Sequence, residues 1–234
     1  MSIIFGNKDL ENISKLYVED IVVSPVTLNP VARQRAVAWG ADFVRMGGGT
    51  RSVAITFALL EQDATKREKL MQSVREWAQV GSEKTLELPQ FANKHLECAV
   101  TLFPEHSYRK WWENKIRIEL TCFNNPYWTS NELIEVPCGT SFTIGGNAPP
   151  LVTIERTGTT PLTNQTYSTS TASMTFSTIP AGSMVIDLNR QTAAIGKTSF
   201  MKYYAPTSTW IVPKIGAGQV INGVGTVKYR ERWV

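Results

Sequence analysis

The chain reads as a mainly β protein of α+β type: an antiparallel sheet domain with one packed helix, followed by a β-sandwich. Three observations carry that reading. Apolar residues alternate with period two over most of the chain, one segment alone has a strong helical stripe, and charge is unevenly shared between the halves. Residues 1–130 carry 16 basic and 15 acidic side chains, whereas 131–234 carry 8 and 5. Between them, Phe123-Asn124-Asn125-Pro126-Tyr127-Trp128 breaks the regular patterns. This places a first domain at 1–129 and a second at 130–234.

In the first part, Val53, Ile55, Phe57 and Leu59 fall on one face of a strand and Ala54, Thr56 and Ala58 on the other. Thr65-Lys66-Arg67-Glu68 has the capping-box spacing, in which Thr and Glu satisfy amides left unpaired in a first helical turn. Leu70, Val74, Trp77 and Ala78 continue it as an apolar stripe, and Gly81 supplies a stop, so a helix is expected over 65–80. A weaker helical segment is suggested from Pro30 to Trp39, with proline at its first position. Leu86 and Leu88 form a short strand; Leu96, Cys98, Val100 and Leu102 a second inward-facing set; Ile116, Ile118, Leu120 and Cys122 a third. The expected result is an antiparallel sheet with the helix packed on it.

The second part offers short strands with turn residues between them: 140–144, 151–156, 173–178, 184–188, 191–195 and 226–233. Gly145-Gly146-Asn147, Asn189-Arg190, Gly196 and Asn222-Gly223 punctuate them. The stretch Thr157 to Thr178 has 13 Ser or Thr in 22 residues, a composition of exposed strand edges and loops. Strands at roughly ten-residue spacing suggest a sandwich.

Composition narrows the chemistry. At 234 residues and 26.1 kDa, with 42% apolar and 19% charged residues, the chain can bury a core. The net charge of +4 is scattered, which argues against sequence-specific nucleic-acid binding. No apolar run approaches the roughly 18 residues of a membrane span. The N-terminal MSIIFGNKDLENISK is too short and acidic for a signal peptide, so synthesis in the cytoplasm is expected. Cys98, Cys122 and Cys138 lack zinc-type spacing, and with His95 and His106 alone a nucleophilic triad has little to build on.

Each candidate site has a structural counterpart that fits better. Gly47 to Gly49 before Thr50 and Arg51 leads into a strand, whereas phosphate loops lead into a helix. Cys98 and Cys122 read as small buried hydrophobes. His95 and His106 read as surface histidines, with no carboxylate assigned to either. Tyr108, Trp111 and Trp112 among Arg109, Lys110 and Lys115 could stack bases or sugars, but fit a loop packed on another subunit better. The tail Lys228 to Trp233 reads as a final strand with charged edges. Asp187, the sole acid between Arg156 and Arg190, reads as a turn initiator. No catalytic, cofactor or metal site is expected, and the protein is not expected to be an enzyme.

The order of these segments resembles the distal tail proteins of long-tailed phages, the Dit family. Gly48-Gly49-Thr50-Arg51-Ser52-Val53-Ala54-Ile55-Thr56-Phe57 is similar to the family's "G-x-R-x-I-x-I-x-F" strand. The helix through Val74-Arg75-Glu76-Trp77 and the strand Lys84 to Leu88 follow it. Leu120-Thr121-Cys122-Phe123-Asn124-Asn125-Pro126-Tyr127 is similar to "F-x-C-x-D-P-Y", with Asn125 in place of Asp. Gly146-Asn147-Ala148-Pro149-Pro150-Leu151-Val152-Thr153-Ile154 resembles the opening strand of the family's second domain. The segments 183–188 and 192–196 resemble its hairpin, with Ala194-Ile195 before Gly196 altering the Asn-Gly turn. Ile215 to Ile221 matches a later motif loosely.

The resemblance implies a first domain with a belt loop that closes a homohexameric ring, and a galectin-like second domain outside it. Such a ring joins tail tube to tail-tip hub, anchors receptor-binding or baseplate proteins, and leaves a lumen for DNA. The location implied is the virion tail tip, after assembly in the host cytoplasm. The competing reading is a carbohydrate-binding module for host-surface glycans, with Tyr203, Tyr204 and Trp210 as candidate stacking rings.

Overall fold

The computed structural model describes residues 2–34, 41–78, 81–103 and 115–234; for 28–34 and 41–48 the backbone alone is described. The chain divides into two compact units, 1–128 together with Val234, and 129–233.

The first unit contains β1 (Ile4–Phe5), β2 (Lys8–Asp9), β3 (Leu16–Val23), β4 (Thr27–Gln34), β5 (Ala41–Leu59), α1 (Ala64–Ala78), β6 (Lys84–Glu87), β7 (Lys94–Leu102) and β8 (Lys115–Cys122). Pairing is antiparallel throughout, in the order β2-β1-β6-β7-β8-β5-β3, and β4 pairs with the first half of β5. Val53, Ile55, Phe57 and Leu59 face inward beside Ile116, Ile118, Leu120 and Cys122, as the period-two pattern requires. Leu102 departs from its expected inward place and is exposed. A register shift between Val100 and Leu102 inserts a residue into β7 and turns the last side chain outward.

The expected helix forms, but its cap is Asp63 rather than Thr65. The Asp63 carboxylate accepts from Lys66 N at 2.9 Å and its carbonyl accepts from Arg67 N. The buried face is Arg67, Met71, Val74, Trp77 and Ala78, so Met71 takes the place expected for Leu70. Trp77 anchors the helix: its ring meets Phe5 at 5.7 Å and its Nε1 donates to Lys8 O at 2.9 Å. Arg67 is buried because its guanidinium donates twice to Glu61 O, at 3.0 and 2.7 Å. Residues 79–80 of the expected helix lie outside the described residues.

Residues 30–34 of the helix suggested from Pro30 to Trp39 are strand, not helix. Residues up to Gln34 belong to β4, where pairing with β5 outweighs a weak helical pattern that had no apolar stripe to bury. Residues 35–39 of that segment lie outside the described residues.

The junction carries β9 (Trp128–Ser130). The second unit then holds β10 (Ile134–Pro137), β11 (Phe142–Ile144), β12 (Ala148–Gly158), β13 (Leu162–Ser168), β14 (Ser173–Ile179), β15 (Gly182–Asp187), β16 (Thr192–Ile195), β17 (Thr198–Ser199), β18 (Gly216–Gln219) and β19 (Thr226–Trp233). An antiparallel sheet runs β17-β16-β15-β12-β19-β10. The hairpin β13–β14 and the pair β11–β18 supply the other side of a core formed by Val152, Ile154, Met184, Ile186 and Val227 against Tyr167, Met174, Phe176, Ile144 and Phe142. The Ser/Thr-rich stretch is thus a hairpin with polar residues on one face and large apolar ones on the other. The fold is mainly antiparallel β with one α-helix among the described residues.

Candidate functional site

The segment Gly47 to Gly49 lies within β5, with Gly47 paired to Asn29. A Cβ on Gly49 would collide with the Thr27 carbonyl, so glycine here permits two strands to approach at a bulge. Beyond it, Arg51 is 4% exposed and opposite Cys122. Burial lowers its pKa, opposed by attraction to Cys122 and Tyr127. Cys98 and Cys122 are both fully buried, and Cys138 is half-buried with its thiol pushed up by that burial. His95 does have a carboxylate opposite it: the β6–β7 register pairs it with Glu87. That neighbour comes from a different strand and was invisible to spacing along the chain. His106, Tyr108, Arg109, Lys110, Trp111 and Trp112 lie outside the described residues, while Lys115 opens β8 and pairs with Glu19 at 2.8 Å.

In the second unit the tail strand is fully engaged. Lys228 Nζ lies 2.8 Å from Glu135 and 3.2 Å from Glu155, and these hydrogen bonds raise its pKa. Tyr229 stacks on Phe142 and donates to Thr143 O at 2.7 Å. Glu231 accepts from Gly145 N at 2.6 Å. Asp187 accepts from Asn189 N and Arg190 N, at 3.0 and 2.9 Å, and holds the β15–β16 turn. Trp210 donates to Leu188 O at 3.0 Å and tilts against Tyr204 at 5.5 Å. Tyr204 in turn meets Phe176 edge-on, so these rings extend the core. Tyr203 carries Lys202 over its face at 5.0 Å.

Among the described residues, no group of three or more His, Cys, Asp or Glu side chains could hold a metal. No helix among them is long and apolar enough to cross a membrane.

Among the described residues of the first unit, an open apolar surface lies along β3. Among the described residues this strand pairs with β5 alone, leaving its other edge without a strand. Tyr17 is 61% and Val22 54% exposed, and Leu60, just beyond β5, is 61% exposed. A groove of about 330 Å³ beside the strand is lined by Leu10, Glu11, Ile13, Leu16, Tyr17 and Val18. A register shift at Val18–Asp20 and the charges of Glu19 and Asp20 blunt the edge midway.

No family model and no curated protein matches the chain. Among solved structures, the SPP1 Dit protein, described as a paradigm of the hub adsorption apparatus in phages infecting Gram-positive bacteria, superposes with a TM-score of 0.73. The match covers 100% of this chain and 99% of that one, at 11% identity. This chain has the Dit fold. Two structures of the phage p2 baseplate in its activated conformation, with strontium and with calcium, score 0.47 and 0.48 at 12% and 11% identity; they cover 99% and 100% of this chain, and 96% and 97% of theirs.

The two Dit-like motifs of the first unit meet in space. Gly48 to Phe57 lies in β5, and Leu120 to Tyr127 is the end of β8 with its turn, paired to β5 at Arg51–Cys122. Asn124 fixes that turn by donating to Glu83 at 2.6 Å. Residues 183–196 form the β15–β16 hairpin, with Met184 opposite Ile195. The β3 surface had no sequence signal beyond a modest alternation, because its pairing with β5 is set by tertiary contacts.

Proposed function

We propose that this chain is a distal tail protein: a structural virion component that forms a homohexameric ring, joins the tail tube to the tail-tip hub and anchors receptor-binding or baseplate proteins. The observation that carries this reading is the full-length likeness to the SPP1 Dit hub protein, in which both units are matched end to end. The role is geometric. A heterologous contact repeated about a six-fold axis closes a ring, and the lumen passes DNA without sequence-specific binding. The modest, scattered net charge of +4 suits a passage rather than a reader. The open β3 edge with Tyr17, Val22 and Leu60 is the kind of surface a neighbouring subunit covers. Assembly in the host cytoplasm and residence at the virion tail tip follow from the same reading. The second unit, on the ring exterior, would be the galectin-like platform.

The glycan-binding alternative needs an exposed aromatic ring flanked by amides and carboxylates. Trp210 and Tyr204 are spent on the core, and the neighbourhood is poor in acids. A glycan array with Trp210→Ala as control is expected to show no signal above background.

Negative-stain electron microscopy of the concentrated protein is expected to show six-fold rings with a central hole. Val22→Glu should abolish the rings without lowering the melting temperature of the chain. Monomers alone, even after co-expression with the adjacent tube and hub proteins as templates, would overturn the reading.

A further inference from the structure

Three side chains from three consecutive strands form one row on the core face of the first unit. The β5–β8 register sets Arg51 opposite Cys122. The β7–β8 register pairs Ala99 with Thr121, which carries Cys98 to the other flank of Cys122. Both thiols are free and fully buried. They face each other across the two strands, and the hydrogen bond to Cys122, followed by burial, raises the Cys98 pKa. On the opposite side, Arg51 Nε and Nη1 are buried without a hydrogen-bond acceptor. A buried cation is costly unless a negative charge stands beside it. Of the two sulfurs, Cys122 is the one set beside Arg51, and a neighbouring cation favours attack by the sulfur next to it. The row therefore has an order in space: cation, near sulfur, far sulfur.

We propose that Cys98 and Cys122 form a reversible cross-strand disulfide, with Cys122 as the attacking sulfur and Arg51 as its positioning cation. The oxidant is a peroxide. The Cys122 sulfur gives up its proton and attacks one peroxide oxygen, and the O–O bond breaks, leaving a sulfenic acid on Cys122 and releasing hydroxide. The Cys98 sulfur then attacks the Cys122 sulfur, the S–O bond breaks, and the departing hydroxide takes the Cys98 proton as water. The first hydroxide takes up the proton that Cys122 originally lost. Two thiols are oxidised and one peroxide is reduced to two waters. Access comes from the strand end: Cys122 is the last residue of β8, and Phe123 beyond it is half-exposed, so fraying of this end suffices. The bond would staple β7 to β8 across the segment that joins them, independently of whether the chain forms a ring.

The test uses the full chain treated with hydrogen peroxide, then denatured and assayed. Titratable thiols are expected to fall from the three of the sequence to one, with loss of two hydrogens in the intact mass. A digest should yield a linked pair containing Cys98 and Cys122, reversed by dithiothreitol. Cys138→Ser should not change the reaction. Cys98→Ser should stop at a sulfenic acid on Cys122, trapped by dimedone. Arg51→Met should slow oxidation roughly tenfold, with Arg51→Lys restoring much of the rate. Because Arg51 is buried and its loss can unfold the chain, the dimedone experiment reports the attacking sulfur without altering Arg51. Persistence of three thiols, or a linked pair containing Cys138, overturns the proposal. Dimedone labelling of Cys98 in Cys122→Ser as fast as of Cys122 in Cys98→Ser overturns the assignment of the attacking sulfur.

Discussion

Asp63 and Thr65 both stand near the start of α1, but Asp63 is the residue whose carboxylate reaches the amide of Lys66. Asp63→Ala is therefore expected to cost about 1 kcal/mol in chemical denaturation, and Thr65→Ala only a few tenths. Equal effects would return the cap to Thr65. Two residues earlier, Glu61 pairs with Lys15 and accepts from Asp63 N at 3.1 Å. The Lys15 hydrogen bond first, and the Asp63 amide second, hold its pKa below the ordinary 4.5. A group with a depressed native pKa stabilises the fold fully above its unfolded value and loses that contribution as pH falls through the native one. The melting-temperature gap between the wild type and Glu61→Gln should therefore be constant above pH 5 or so and close on the acid side of 4.5. A gap unchanged down to the acid limit would show that the pair contributes by packing alone.

At the level of elements, the β13–β14 hairpin shows how a Ser/Thr-rich stretch becomes half of a core. Tyr167 is fully buried, donates to Val224 O at 3.1 Å and is met edge-on by Phe176. Gly223 lies flat against its ring at φ +145°, and a Cβ there would enter the ring. Gly196, at φ +55°, has open space around it. Gly196→Ala is expected to cost about 1–2 kcal/mol from backbone strain alone. Gly223→Ala should cost more, since strain and collision act together. Urea denaturation of the two variants checks the order, and equal losses would mean that the ring yields freely. The hairpin was poorly legible in the sequence because Tyr167, Met174 and Phe176 are scattered among hydroxyl residues. What decides their direction is the register that sets Tyr167 opposite Met174.

On the scale of the whole chain, the core of the second unit draws on its own strands, from Phe142 to Tyr229. Residues 129–234 expressed alone should give a β-type circular dichroism spectrum and a single cooperative melt. A molten or aggregated product would mean that this unit depends on the first. The change in charge density and the Asn-Asn-Pro break at 123–128 mark the junction in the sequence, because chain segments that build separate cores are free to differ in composition. The proposed ring belongs to the same scale, since a contact between copies cannot be read within one chain.

Period-two alternation, one amphipathic helix and turn residues at regular intervals determined by themselves the fold class and most strand cores, since each depends on residues close in the chain. Asp187 at its turn and the inward faces of 53–59 and 116–122 were legible for that reason. The tertiary structure alone decided the rest. It set Glu87 against His95, turned Leu102 outward at a bulge, drew residues 30–34 into a strand, and aligned Arg51, Cys122 and Cys98 in one row. Each of these depends on register between strands distant in sequence, and register is fixed by the packing of the assembled core rather than by local preference.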